Sequence, residues 1–214
     1  ELASTLNQRG YAVAIVNGGN ILFNAEVSHS DCIDSVTLLD VYSQHLQALF
    51  HFDYYKKPVL IGLGSAASQV YVILQQAPSN LFSAGFSVGF HPVMQTAVLP
   101  CAGQSEPAWY IQQESIVLLP RKVIAAPWFM VGDNNDDFAK IATGVFPFKK
   151  DSDVETMNAT FLTALDSLAD PVVSQRSASI KDLPLVELPV KPEITSASST
   201  DYFVIIVSGD GGWA

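Results

Sequence analysis

The feature that most constrains this chain is a repeated alternation. A short apolar run is followed by a loop rich in glycine, asparagine or aspartate, and then by apolar residues at helical spacing. Tyr11–Val16 (YAVAIV) runs into Asn17-Gly18-Gly19-Asn20, and Pro58–Ile61 (PVLI) into Gly62-Leu63-Gly64-Ser65-Ala66-Ala67. Leu81–Phe90 (LFSAGFSVGF) ends in His91-Pro92, and Pro127–Val131 (PWFMV) in Gly132-Asp133-Asn134-Asn135-Asp136-Asp137. Strands buried on both faces read as continuous apolar runs of this kind. The helical segments are Glu1–Arg9 stopped by Gly10, Asp31–Phe52 with Asp31 or Asp34 as cap, Ser68–Gln76 before Pro78, and Val154–Leu168 before Pro171. Strands alternating with helices imply βαβ units with right-handed crossovers. The expectation for residues 1–170 is a doubly wound α/β domain with a mainly parallel, α/β-hydrolase-like sheet. Its strands are expected at 11–16, 58–62, 82–89 and 127–131, with Ile116–Leu119 a strand outside that series. Ligands of such sheets bind at the carboxyl ends of the strands, where the glycine-rich and acidic loops fall.

A chain of 214 residues with 49% apolar and only 15% charged residues buries a core. No apolar run reaches the roughly 18 residues of a spanning helix, and no charged n-region with an apolar h-region opens the sequence, so the expectation is that any signal peptide has been removed or was never there. The net charge of −10 disfavours nucleic acid and simple attraction to anionic lipid. It suits a basic protein or a cationic head group. After Asp170 the composition changes. Residues 171–201 hold Pro171, Pro184, Pro189 and Pro192 and the run Thr195–Thr200, which reads as an interdomain linker. Tyr202–Val207 (YFVIIV) then reads as a new strand running into Ser208-Gly209-Asp210-Gly211-Gly212-Trp213. The expectation is that residues 202–214 open a second, truncated domain.

Two stretches approach the Gly-x-Ser-x-Gly pattern of a nucleophile elbow, in which a serine sits on a strained turn between strand and helix. The Gly62–Ala66 stretch has the right setting, but Gly64 stands at the nucleophile position and Ser65 follows it; the alternative for Ser65 is a helix cap. Gly85-Phe86-Ser87-Val88-Gly89 matches literally, but it lies inside an apolar run, which makes Ser87 a plain strand residue. Asp133, Asp136 and Asp137 occupy the loop where this fold carries a triad acid, and the alternative is a solvated turn. In this fold the histidine follows the acid. His29, His45, His51 and His91 all precede Asp133, and the stretch where a late histidine belongs reads Thr143-Gly144-Val145-Phe146. No base is placed to activate a serine, so the elbow is expected to be dead. His29, Asp31 and Asp34 lack the third strong ligand of a metal site, and the 133–137 loop lacks the spacing of a calcium loop; neither metal nor cofactor is expected. Ser208–Trp213, following a strand, suits an oxyanion-type loop of backbone N–H groups. Cys32 and Cys101 fit one disulfide in an oxidising compartment or two separate buried thiols. Their placement after strand-end loops on one sheet edge favours the disulfide.

The stretch Val207–Trp213 (VSGDGGW) resembles the opening of the VirJ domain, the active half of the bacterial VirJ/AcvB virulence-protein family. The Gly62–Ser65 turn, the Gly85–Pro92 strand and Cys101 resemble the N-terminal domain of its longer members. The resemblance implies a periplasmic protein whose VirJ-type domain hydrolyses aminoacylated phosphatidylglycerol, notably the lysyl form, with links to type IV secretion and virulence. The family's catalytic serine, acid and histidine lie in that second domain, and only the glycine-rich loop falls within this chain. Three functions compete. The domain supports or gates the following lipid hydrolase; or it docks secretion or envelope proteins, or lipid head groups; or it is an autonomous esterase using Ser65 or Ser87.

Overall fold

The computed structural model describes residues 2–17, 32–95, 98–101, 106–113, 115–121, 125–132, 136–148, 152–169 and 203–208. In chain order the elements are α1 (Leu2–Gln8), β1 (Ala12–Asn17), β2 (Cys32–Ile33), α2 (Ser35–Leu49), β3 (Pro58–Leu63), α3 (Ala66–Gln76), β4 (Ala84–Val88), β5 (Val93–Gln95) and β6 (Leu99–Pro100). They continue with β7 (Trp109–Gln112), β8 (Ser115–Leu118), β9 (Trp128–Val131), α4 (Asp136–Ala139), β10 (Gly144–Phe146), α5 (Val154–Asp166), a 3-10 turn at Ser167–Ala169, and β11 (Phe203–Ser208).

The main sheet has six strands in the order β1-β11-β3-β4-β9-β10, and every pairing in it is parallel. The four strands expected from the apolar runs are all in it. From β1 through β3, β4 and β9 to β10 the chain moves steadily in one direction. Right-handed crossovers then put all the intervening helices on one face. The packing agrees. Leu60, Trp128, Met130 and Ile205 join one buried cluster with α2 and α3 residues and Phe138 of α4. Their strand neighbours Val59, Ile61, Phe129 and Val131 point the other way, to Leu6 of α1 and Phe161, Ala164 and Leu165 of α5. Helices therefore cover both faces, which is why β3 can be buried at all six positions.

Helix α2 is amphipathic, burying Val36, Leu39, Ser43 and Gln47. Asp34 caps it, accepting from Thr37 N at 3.0 Å. Helix α3 is buried over most of its surface, because α2 and an antiparallel sheet cover its outer side. That sheet, β5-β8-β7, is an excursion between β4 and β9, and it contains the strand expected outside the parallel series. Tyr71 of α3 packs against Phe90, Trp128 and Phe138, with ring centroids 4.8–5.9 Å apart.

Two expectations need correction. Residues 203–208 do not stand apart from the first domain. They form the strand between β1 and β3, paired with both over all six residues. The apolar run identified a strand, but it carries no information about which sheet it joins. The cysteines also sit differently. Cys32 belongs to β2, and Cys101 directly follows β6; these two short strands make a separate parallel ladder rather than one edge of the main sheet. There the two Cα atoms are 4.7 Å apart and the sulfurs are bonded.

Candidate functional site

The turn between β3 and α3 is built by its glycines. Gly62 has no room for a side chain, since a Cβ there would lie 2.4 Å from Ala66 O and 2.7 Å from Val70 Cγ2. Its bareness lets α3 start directly over the end of the strand. Gly64 then reverses the chain at φ +59°, a left-handed conformation that costs a side-chain-bearing residue energy. Its N–H donates to Val88 O at 3.0 Å, and its carbonyl accepts from Ala67 N at 3.1 Å. A Cβ at Gly64 would meet nothing within 4 Å. A strand, a positive-φ apex open to solvent and a helix beginning two residues later share the outline of a nucleophile elbow. Gly64 occupies the apex, and it offers no nucleophile.

Ser65 does not take over that role. It is exposed, has helical φ and ψ, and makes no side-chain cap hydrogen bond. The cap expected of its hydroxyl is therefore absent, because a residue already in helical conformation cannot turn its Oγ back onto the N2 or N3 amide. Among the described residues no histidine hydrogen-bonds Ser65. His91 is the histidine next to this end of the sheet: its carbonyl accepts from Ser68 Oγ in the first turn of α3, at 2.5 Å. Its Nδ1 accepts from Val93 N at 3.1 Å, so the ring is engaged within its own loop. His45 and His51 lie on and just beyond α2, both exposed. His29 lies outside the described residues.

Ser87 is fully buried in β4. Its Oγ donates to Ala67 O at 2.6 Å and accepts from Trp128 Nε1 at 2.9 Å. The literal Gly-x-Ser-x-Gly is thus a packing motif. At Gly85 a Cβ would sit 2.5 Å from Leu74 Cδ1 and 2.9 Å from Val70 Cγ1, so this glycine also seats α3 on the sheet. Gly89 turns the chain out of β4 at φ +74°. The signal was present in the sequence: Gly85 and Ser87 stand two residues apart in an apolar run, so they share one face of the strand.

The acidic loop leaves the carboxyl end of β9, two strands from the Gly64 turn. Asp133 and its two neighbours lie outside the described residues, and Asp136 begins α4. Asp137 is on the surface in an exposed ion pair with Lys140 at 2.9 Å. Strand β10, holding Gly144, Val145 and Phe146, fills the place beyond the acid strand. Ser208 ends β11 beside Leu63, so the chain leaves β11 level with the Gly64 turn. Gly209, Asp210, Gly211, Gly212 and Trp213 lie outside the described residues.

The metal alternative loses one of its residues to a structural role. Asp34 accepts from Thr37 N and, at 2.6 Å, from Thr37 Oγ1, while His29 and Asp31 fall outside the described residues. A cavity of about 10 Å³ lies between α3 and β7, lined by Gln75, Glu106 and Trp109 among others, and has room for a single water. Among the described residues no helix is long and apolar enough to cross a membrane.

Comparison with known proteins returns no matching family model, no matching curated protein and no matching solved structure.

Proposed function

We propose that this chain is a hydrolase-like domain without hydrolytic chemistry of its own, which supports or gates a serine hydrolase acting on aminoacylated phosphatidylglycerol. The observation that carries the first half is Gly64: the apex of an elbow-shaped turn, open to solvent, with no side chain. The other parts of such a site are either engaged or misplaced. Ser87 is buried in a structural hydrogen-bond pair, and His91 is bound to its own loop. The sheet order supports the hydrolase-like part. The elbow strand β3, then β4, then the acid-bearing β9, then β10 follow the order in which α/β-hydrolases carry nucleophile, acid and base.

The second half rests on the resemblance of the Gly62–Ser65 turn, the Gly85–Pro92 strand and Cys101 to the N-terminal domain of the longer VirJ/AcvB members, since Val207 and Ser208 belong to the sheet of this domain itself. The bonded cysteines support a periplasmic setting, since disulfides persist in oxidising compartments. The docking reading also has an observation in its favour. The outer side of α2 and the turn after it expose Val41, Leu49, Phe50 and Tyr54, each more than half accessible.

Two measurements test the proposal. A fluorophosphonate probe should label neither Ser65 nor Ser87, and p-nitrophenyl esters should be turned over no faster than in buffer. Stoichiometric labelling of either serine gives the esterase reading the lead. For the supporting role, the chain is added to a purified VirJ-type hydrolase and lysyl-phosphatidylglycerol hydrolysis is followed. A change in rate together with measurable binding supports it; no binding at micromolar concentrations rejects it.

A further inference from the structure

Among the described residues strand β1 has one neighbour in the main sheet, β11. Strand β11 in turn pairs with β3 across its other edge, from Phe203 beside Pro58 to Ser208 beside Leu63. The last described strand of the chain therefore lies inside the sheet and joins β1 to all the rest. Ile205, at its middle, is fully buried in the cluster formed with α2 and α3. The covalent path to this strand runs through residues 170–202, which include four prolines and a serine- and threonine-rich run. The strand is thus inserted between two elements from which it is remote in sequence, through a segment whose composition is that of a linker.

We infer that the space between β1 and β3 is a strand-binding slot, and that residues 203–208 occupy it as a bound ligand would. The slot fits an extended segment of six residues running parallel to β3. The segment must be free of proline, because each edge needs its backbone N–H groups, and must present an apolar side chain at the position of Ile205. Affinity comes from two rows of main-chain hydrogen bonds and the burial of that side chain, the physics of β-strand addition. It does not come from the linker. Vacating the slot would leave unpaired edges on both β1 and β3, which strongly favours an occupied state. This inference is independent of the proposed enzymatic partnership, because it concerns how the sheet is completed and not what the domain serves.

The test uses the full chain with a site-specific protease sequence placed within residues 171–200. After cleavage at micromolar concentration, native mass spectrometry and gel filtration should show the two fragments as one 1:1 complex. An isotopically labelled peptide of residues 201–214, added in excess, should exchange into it. Release of the carboxyl-terminal fragment on cleavage, whether the body stays folded or not, overturns the inference. A second readout guards against a variant that only unfolds. In the uncut chain, Ile205→Asp should lower hydrogen-exchange protection of the β1 amides by at least tenfold and leave β4 and β9 protected, while Ile205→Val should change neither. Equal loss of protection in all three strands, or none in β1, overturns it as well.

Discussion

Ser87→Ala separates a catalytic serine from a structural one, and the structure sets the size of the effect. The substitution removes two hydrogen bonds in a fully buried place. Ala67 O loses a donor at 2.6 Å, and Trp128 Nε1 loses its acceptor at 2.9 Å. Trp128 is itself fully buried, so its N–H is left with neither protein nor water to bond. An orphaned buried donor costs about 1–3 kcal/mol, and the loss of an ordinary hydrogen bond about 0.5–1.5 kcal/mol. Together they amount to about 1.5–4.5 kcal/mol, or a melting temperature lower by roughly 3–18 °C for a chain of this size. The assay is thermal unfolding of the single variants and of the pair with Trp128→Phe. Once the indole N–H is gone, Ser87→Ala no longer creates an orphan, so the cycle should show a coupling of about 1 kcal/mol or more. An unchanged melting temperature in Ser87→Ala, or strictly additive variants, would refute the reasoning.

Four other outcomes follow from the same packing. Gly62→Ala should destabilise more than Gly85→Ala: the first clash is with the backbone oxygen of Ala66, which cannot yield, and the second with a methyl of Leu74, which can. Overpacking of the yielding kind costs about 1–3 kcal/mol, and chemical denaturation of both variants gives the comparison. Reducing the Cys32–Cys101 bond, which spans 69 residues, should cost about 4 kcal/mol in the chain-entropy model, checked by unfolding with and without a reductant. Burial pushes the Tyr71 hydroxyl above its ordinary value of 10.0, although the Arg121 backbone N–H bonded to it pulls the other way. Its stabilising contribution is therefore complete below pH 10 and falls away as pH rises above that value; an ultraviolet titration should show one late-titrating tyrosine fewer in Tyr71→Phe than in wild type, with Tyr55, also raised by burial, still titrating late in both, and the loss of stability in alkali should be smaller in the variant. The Asp153 carboxylate is held below its ordinary value of 3.8 by the Thr156 N–H it accepts at the start of α5. Its contribution is present above pH 3.8 and lost as pH falls through the lower folded value, so Asp153→Asn should reduce the acid sensitivity of unfolding.

What the sequence made legible follows from what each element needs from its surroundings. Strands β3, β4 and β9 are covered on both faces, so nearly every residue had to be apolar and the runs stood out. Asp34 was legible as a cap because capping is a local interaction, three residues long. The partners of β11 were not legible. Parallel pairing is a long-range choice between equally apolar edges, and Tyr202–Val207 would suit any of them. The β2–β6 ladder was hidden for another reason: two-residue strands leave no periodicity to detect. At the site, the sequence placed Gly64 at the elbow position and put every histidine before the acid loop. It did not show that Ser87 holds the indole of Trp128, because nothing in either local pattern links residues 41 positions apart.

Packing and chain reversal alone account for the shape of the Gly64 turn. Three demands meet there, and only one of them is catalytic. Helix α3 must lie close on β3 and β4, and this requires Gly62 and Gly85, where a single methyl group would collide with the helix. The chain must reverse between strand and helix, and this requires an apex that tolerates positive φ, which glycine does better than any other residue. A nucleophile at the apex serves neither demand, because a Cβ there would meet nothing within 4 Å and positive φ disfavours a side chain. Replacing a nucleophile by glycine at that position relieves backbone strain and disturbs no contact. Loss of Gly62 would force the helix off the sheet, and loss of Gly85 would force Leu74 to repack. Stability alone therefore suffices to explain the form of the turn and a glycine at its apex. An elbow-shaped turn is consequently no evidence of hydrolysis by itself, and the case for an enzyme must rest on side chains at the apex and at the base position.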